Sequence, residues 1–283
     1  MGIINAHTLK YAWYGLKEFY ESAKEELSDL FSSKTGITEV FDNGSQTHKI
    51  LMLGGRRAGK STILASIHNA LGSSTPGSIC TITDETDYSS IEQELPTLDN
   101  KRLEVVDYIE DKSDKKMFLV DMAPTQSQNS YTLRVNAEKT SIKLEFVDIP
   151  GEWMRKQNAD YKTLKELTKE TDVFVIVIDT PFLMLGRPNE NEVYNRIKEI
   201  TDLLVSEIRS ANDADKKLFL ICPVKCEKWV RQGLADDVTQ KAKSVYKTLI
   251  NTYVKHPWAD IRVMPIQTVG GIESVKLLDA LLY

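Results

Sequence analysis

Ile50-Leu51-Met52-Leu53-Gly54-Gly55-Arg56-Arg57-Ala58-Gly59-Lys60-Ser61-Thr62 is the stretch from which the fold of this chain is read. An apolar run ends in a pair of glycines, and Gly59-Lys60-Ser61 follows after Arg56, Arg57 and Ala58. This is the strand–GxxxxGK[ST]–helix pattern of a phosphate-binding loop. The residue types suit that chemistry. The glycines let the backbone from Gly54 through Arg57, Ala58 and Gly59 to Thr62 turn tightly, with its N–H groups aimed inward at a polyanion. Lys60 is placed to reach β- and γ-phosphates, and the Ser61 hydroxyl to ligate Mg²⁺. Ser61-Thr62-Ile63-Leu64-Ala65-Ser66-Ile67 predicts a helix whose positive end points at the same anion.

Outward from this loop, the bulk composition is that of a globular protein. The 283 residues suffice for one large domain or two small ones. A formal charge of −5 gives no reason to expect nucleic acid as a partner. No apolar run is long enough for a membrane span. The start, Met1-Gly2-Ile3-Ile4-Asn5-Ala6, lacks the charged-then-apolar layout of a signal peptide. Cys80, Cys222 and Cys226 form no metal pattern, and their odd number suits free thiols in a cytoplasmic protein.

Periodicity then sets the order of elements. Leu9, Trp13, Leu16, Tyr20, Ala23, Leu27 and Leu30 recur at helical spacing, so residues 1–47 are expected to carry an amphipathic helix and a linker. The helix after the phosphate loop is expected to stop near Gly72. Residues 73–115 read as an insertion into a domain spanning 48–283, with short helices at Ile91–Leu95 and Leu103–Ile109. Met117–Val120 carries a strand signal. Tyr131–Val135 and Ile142–Val147 alternate and predict an antiparallel hairpin. Val173–Ile178 and Leu218–Ile221 are continuous apolar runs, as in strands buried on both faces. Helices are expected near Tyr161–Lys169, Glu190–Ser210, Val238–Tyr253 and Ile272–Leu281, with a strand at Ile261–Ile266. Strands alternating with helices imply an α/β fold with a mainly parallel, doubly wound sheet and one antiparallel hairpin strand.

The second hairpin strand ends in Asp148-Ile149-Pro150-Gly151. In an open α/β sheet ligands bind along the carboxyl edge. An acidic residue there can hold Mg²⁺ opposite Ser61, and Gly151 leaves its N–H free to approach a γ-phosphate.

At this point the sequence resembles the P-loop GTPases of the translation-factor and Ras-like class. Gly54–Ser61 is similar to their first motif, and Asp148-Ile149-Pro150-Gly151 to the DxxG of switch II. Val224-Lys225-Cys226-Glu227 stands where that family has Asn/Thr-Lys-x-Asp. The resemblance implies that Lys225 stacks along guanine and that Glu227 accepts from its N1–H and 2-amino group. Glu adds a methylene to the usual Asp, and Val224 lacks the polar side chain that ties this loop to the phosphate loop. Gln267-Thr268-Val269 takes the place of the last motif. Counting back from Asp148 across the hairpin puts the switch I threonine, a Mg²⁺ ligand in the family, at Thr125. Thr81, Thr83 and Thr86 are rivals. Pro223–Trp229 and the Gln-Thr-Val-Gly-Gly ending are similar to bacterial double-GTPase-type domains of multi-gene conflict or defence systems.

The resemblance implies binding of GTP and GDP with Mg²⁺ and hydrolysis of GTP, with Lys60, Thr125, Glu152 and Arg56 as candidate catalytic groups. Glu152 holds the place of the water-orienting residue, where a carboxylate beside a γ-phosphate is electrostatically awkward. Arg56 and Arg57 are open to three readings: a built-in arginine finger, a steric block, or solvated side chains. Slow hydrolysis is therefore expected, with a protein effector or co-encoded partner. The alternative is a catalytically weak or inactive interaction module. An ATP-dependent kinase would need an acceptor site and base for which the sequence has no motif.

Overall fold

In the computed structural model, the described residues are 47–69, 80–91, 94–101, 125–137, 140–210, 217–253, 256 and 259–267. The expected N-terminal helix, the Gly72 stop, the helix at Leu103–Ile109, the strand at Met117–Val120, Thr268 and the last helix lie outside them. All described residues belong to one unit, Asn43–Ala280.

The sheet has seven strands: β1 (Thr47–Leu53), β2 (Cys80–Asp84), β3 (Asn129–Ala137), β4 (Thr140–Asp148), β5 (Val173–Asp179), β6 (Lys217–Val224) and β7 (Ala259–Val263). Their order is β2-β3-β4-β1-β5-β6-β7. β4, β1, β5, β6 and β7 run parallel, while β3 is antiparallel to both β2 and β4. The expected hairpin is present with Leu133 opposite Leu144 and Asn129 opposite Asp148. β2 was not anticipated. It adds an edge strand from within the insertion, pairing Ile82 with Val135.

The apolar runs at β5 and β6 are buried along their whole length. A central parallel strand has helices on both faces, so both sets of its alternating side chains must be apolar. Leu51, Leu53, Phe174, Ile176, Phe219 and Ile221 join one core cluster with Leu164, Ile200, Leu204 and Leu249. Phe174 stacks on Phe219 at 4.7 Å, and Phe219 meets Tyr253 at 4.1 Å. Ile50, Met52, Val175, Val177 and Leu220, one residue out of phase, are equally buried. Cys222 and Cys226 are buried thiols outside any disulfide among the described residues.

The helices are α1 (Lys60–Asn69), α2 (Tyr161–Lys169), α3 (Thr180–Leu185), α4 (Pro188–Asn195), α5 (Ile197–Ser210), α6 (Glu227–Arg231), α7 (Ala235–Val245) and α8 (Lys247–Tyr253). Residues 95–101 are also helical. α2 matches its expected limits. The single helix expected over Glu190–Ser210 is instead two, broken at Arg196 in the left-handed region (φ 53). The cause is tertiary. The Asn195 side chain accepts from the Asp179 backbone N–H at 2.7 Å and donates to its carbonyl at 3.3 Å. That commitment turns the chain away from the helical path. The helix expected over Val238–Tyr253 likewise divides at Tyr246. No helix among the described residues is long and apolar enough to cross a membrane.

Candidate phosphate- and purine-binding site

The parallel strands carry most of the described candidate groups to one rim. β1 delivers the loop Gly54–Gly59, β4 delivers Asp148, β5 delivers Asp179, and β6 delivers Lys225 and Glu227. A parallel bridge between Val224 and Ile266 sets Gln267 beside Lys225. Asp148 and Glu227 therefore flank the phosphate loop on the same edge. Within the loop, Gly59 takes φ 111, a conformation that L side chains rarely adopt. Gly55 is held for a different reason: a Cβ there would stand 1.8 Å from the Tyr194 carbonyl oxygen.

Lys60 opens α1 and is 6 % exposed. Its Nζ donates to the loop's own Gly54 and Gly55 carbonyls at 3.2 and 3.4 Å. Burial pushes the ammonium below its ordinary value of 10.5, while the carboxylates of Asp148 and Glu152 pull it back up. A cation desolvated in this way has a strong preference for an incoming anion. The direction of the shift gives a pH prediction. Between the lowered value and 10.5, the unfolded chain keeps a proton that the folded chain has lost, so stability rises with pH there. Below that window both states are protonated, and the cost of burying the charge is fully present. The nucleotide-free Lys60→Met variant should therefore be more stable than wild type at neutral pH, with the difference shrinking toward pH 10.5. Denaturant titrations across pH check this; a pH-independent difference would refute it.

Beside Lys60 three oxygens converge. The Ser61 hydroxyl donates to Asp148 Oδ2 at 2.8 Å, the Thr125 hydroxyl donates to the same oxygen at 3.1 Å, and the two hydroxyls are 3.4 Å apart. Asp148 is buried, and its other oxygen, Oδ1, has no hydrogen-bond partner among the described residues. An unpaired buried carboxylate oxygen is costly, so this atom fits a cation. One carboxylate and two hydroxyls match the hard oxygen donors that Mg²⁺ takes alongside phosphate oxygens. Of the threonines weighed from sequence, Thr125 is the one brought to Ser61. Thr81 and Thr83 lie on the edge strand β2. Thr86 is spent on β3, where its hydroxyl accepts from the Thr132 N–H at 3.0 Å.

Gly151 starts a 3-10 turn, Gly151–Met154, that leans on the phosphate loop. A Cβ at Gly151 would lie 2.5 Å from the Arg56 nitrogen and 2.7 Å from the Gly55 carbonyl carbon. Glu152 is half-buried and near enough to act electrostatically on Lys60. Arg56 and Arg57 are exposed. Arg56 makes no hydrogen bond or ion pair among the described residues.

Lys225 adopts φ 57, and its Nζ donates to the Arg57 carbonyl at 2.8 Å and to Asp179 Oδ2. The link between the two loops that Val224 cannot supply is thus made by its neighbour. Val224 is buried and would stand 3.0 Å from a Cβ at Gly59. Asp179 was missed in the sequence. Its Oδ1 also accepts from the Phe182 N–H at 3.2 Å, capping α3. The signal was there: Asp179-Thr180-Pro181 is an acidic cap followed by proline at the start of a helix. Glu227 opens α6 just beyond Lys225 and is half-buried.

The family model described as Double-GTPase 2 matches residues 49–281. No curated protein matches the chain. Among solved structures, the chain is similar to the Roco2 RocCORdC structure of Methanosarcina barkeri bound to GDP, at 17 % identity and a TM-score of 0.38. That match covers 83 % of this chain and 49 % of the other, so this chain spans about half the length of that protein.

Proposed function

The chain belongs to the Double-GTPase 2 family, and from that membership we propose that it is a guanine-nucleotide switch that hydrolyses GTP slowly to GDP and phosphate. The observation that carries the reading is the convergence of Ser61, Thr125 and the half-satisfied carboxylate of Asp148 directly under the phosphate loop. In this reading Lys60 and the loop N–H groups bind the β- and γ-phosphates. The Gly151 N–H meets the γ-phosphate. Ser61, Thr125 and Asp148 would hold Mg²⁺, which when bound offsets negative charge on the phosphate oxygens. Lys225, its amino end fixed by Asp179 and Arg57, lays its stem along the purine. Glu227 accepts from the two donors of guanine, which adenine lacks. Gln267 closes the base side. Gain and loss of the γ-phosphate would order and release the segments at Thr125 and 151–160.

Support for slow turnover comes from Glu152, a carboxylate where an attacking water must be oriented, and from the exposure of Arg56 and Arg57. The same features favour a second reading, an interaction module that binds nucleotide without turning it over. By resemblance we place the protein in the bacterial cytoplasm, answering to a protein effector or co-encoded partner. We assign residues 1–47 to an amphipathic helix and linker and 48–283 to the GTPase domain, with an insertion at about 73–115.

Calorimetry with GTP and ATP in the presence of Mg²⁺ tests the main reading. GTP should bind at least about tenfold more tightly, the effect of one well-placed pair of hydrogen bonds to a charged group. Equal affinities, or no binding of GTP, would remove it. Turnover that persists in Asp148→Asn would count against the site, and binding without measurable turnover would select the module.

A further inference from the structure

The bend between α4 and α5 holds a charged side chain that the site described above does not use. The Arg196 side chain is 11 % exposed, and its Nη1 donates to Glu199 Oε1 at 3.3 Å. Its Nε is buried and has no acceptor among the described residues. A guanidinium cannot shed its proton, so a dry N–H of this kind calls for an acceptor.

Arg196 also stands next to the phosphate loop. A Cβ at Gly55 would be 3.8 Å from Arg196 Cγ, on the side where the Tyr194 carbonyl presses against the loop. Gly55 in turn touches Gly151, the residue before Glu152. The bend, the loop and the 3-10 turn are thus in continuous contact, with a guanidinium whose Nε lacks an acceptor at one end and a carboxylate at the other. The Glu152 carboxylate acts electrostatically on Lys60. A γ-phosphate arriving at Lys60 repels it.

We propose that Arg196 is a positioning residue that receives the Glu152 carboxylate when a triphosphate occupies the loop. Nη1 stays with Glu199, and Nε turns from an unpaired donor into a partner of Glu152. The pair offsets the repulsion that GTP meets and GDP does not. This proposal rests on the nucleotide reading above and adds to it a device that separates the two nucleotides.

The test is a double-mutant cycle on nucleotide affinity, measured with GDP and a non-hydrolysable GTP analogue. Arg196→Gln keeps the stem as far as Cδ and removes the guanidinium with its charge. It should weaken the triphosphate about tenfold, within the usual range of coupling between sites, and change GDP by less than about twofold. In a Glu152→Gln background the same substitution should no longer discriminate between the two nucleotides. Arg196→Lys, which restores a cation, should recover most of the triphosphate affinity. GDP affinity in each variant reports that the site is folded. Equal weakening of both nucleotides would make Arg196 a packing residue and overturn the proposal. An undiminished effect in the Glu152→Gln background would also overturn it, since the guanidinium would then act on phosphate without Glu152. Wild-type protein that binds neither nucleotide would sink the functional reading itself, a result distinct from both.

Discussion

Lys60→Ala is expected to weaken nucleotide binding at least about 30-fold while leaving the free protein folded. Both halves of this expectation come from the same environment. The ammonium is buried, hydrogen-bonded to two loop carbonyls and opposed by its own desolvation. Removing it relieves a burial cost in the empty protein, so the thermal transition should hold its position or rise. In the bound protein the same group is the cation that a triphosphate meets inside a dry cradle. Losing one member of a buried, hydrogen-bonded charge pair costs about 2–5 kcal/mol, or roughly 30-fold to several thousand-fold in affinity. Calorimetry on the variant, paired with its melting curve, checks both halves. An affinity within threefold of wild type, in a protein that melts normally, would contradict the phosphate-loop assignment.

The second large effect is on stability. Gly55→Ala would set a methyl group 1.8 Å from the Tyr194 carbonyl oxygen and near the carbonyl carbon of the same residue. The obstacle is backbone, so no rotamer change clears it. Either the α4–α5 bend or the phosphate loop must move. Overpacking of well-filled regions costs about 1–3 kcal/mol and more where the backbone shifts. A domain of this size loses roughly 2–4 °C of melting temperature per kcal/mol, so a fall of about 6–12 °C is expected at the upper end of that range. Gly233 supplies the control. It takes φ 72, but a Cβ there meets nothing within 4 Å. Its alanine variant carries left-handed strain alone, about 1–2 kcal/mol. Melting curves that rank Gly233→Ala below Gly55→Ala in stability would show that contact with the bend is not what fixes Gly55.

How far these features can be read from the chain depends on the range of the forces behind them. The phosphate loop is local chemistry, and its glycines, lysine and serine stand in the order in which they act. β5 and β6 were legible because strands covered on both faces carry continuous apolar runs between their ends. Thr125 was reached by counting back from Asp148 at the spacing that the GTPase resemblance implies, with Thr81, Thr83 and Thr86 as rivals. The break at Arg196 was not legible. The residues from Glu190 to Ser210 carry a helical pattern throughout, and the interruption comes from Asn195 bonding the backbone of a strand sixteen residues away. β2 was hidden for a similar reason. Cys80-Thr81-Ile82-Thr83-Asp84 is short, and its place at the edge is settled by pairing with β3, a partner distant in sequence. Asp179 was overlooked because a buried strand drew attention to its apolar body and not to its last residue.

The two thiols at the base side of the sheet give the molecule an internal clock. Cys222 lies on β6 with its thiol pushed well above the usual range by burial, and Cys226 is buried just beyond Lys225. While the sheet is closed an alkylating reagent does not reach either buried sulfur, and at Cys222 burial also disfavours the reactive thiolate. Labelling at these two positions therefore counts openings of the sheet's middle, and its slowing by added nucleotide would measure how firmly a guest holds the rim together.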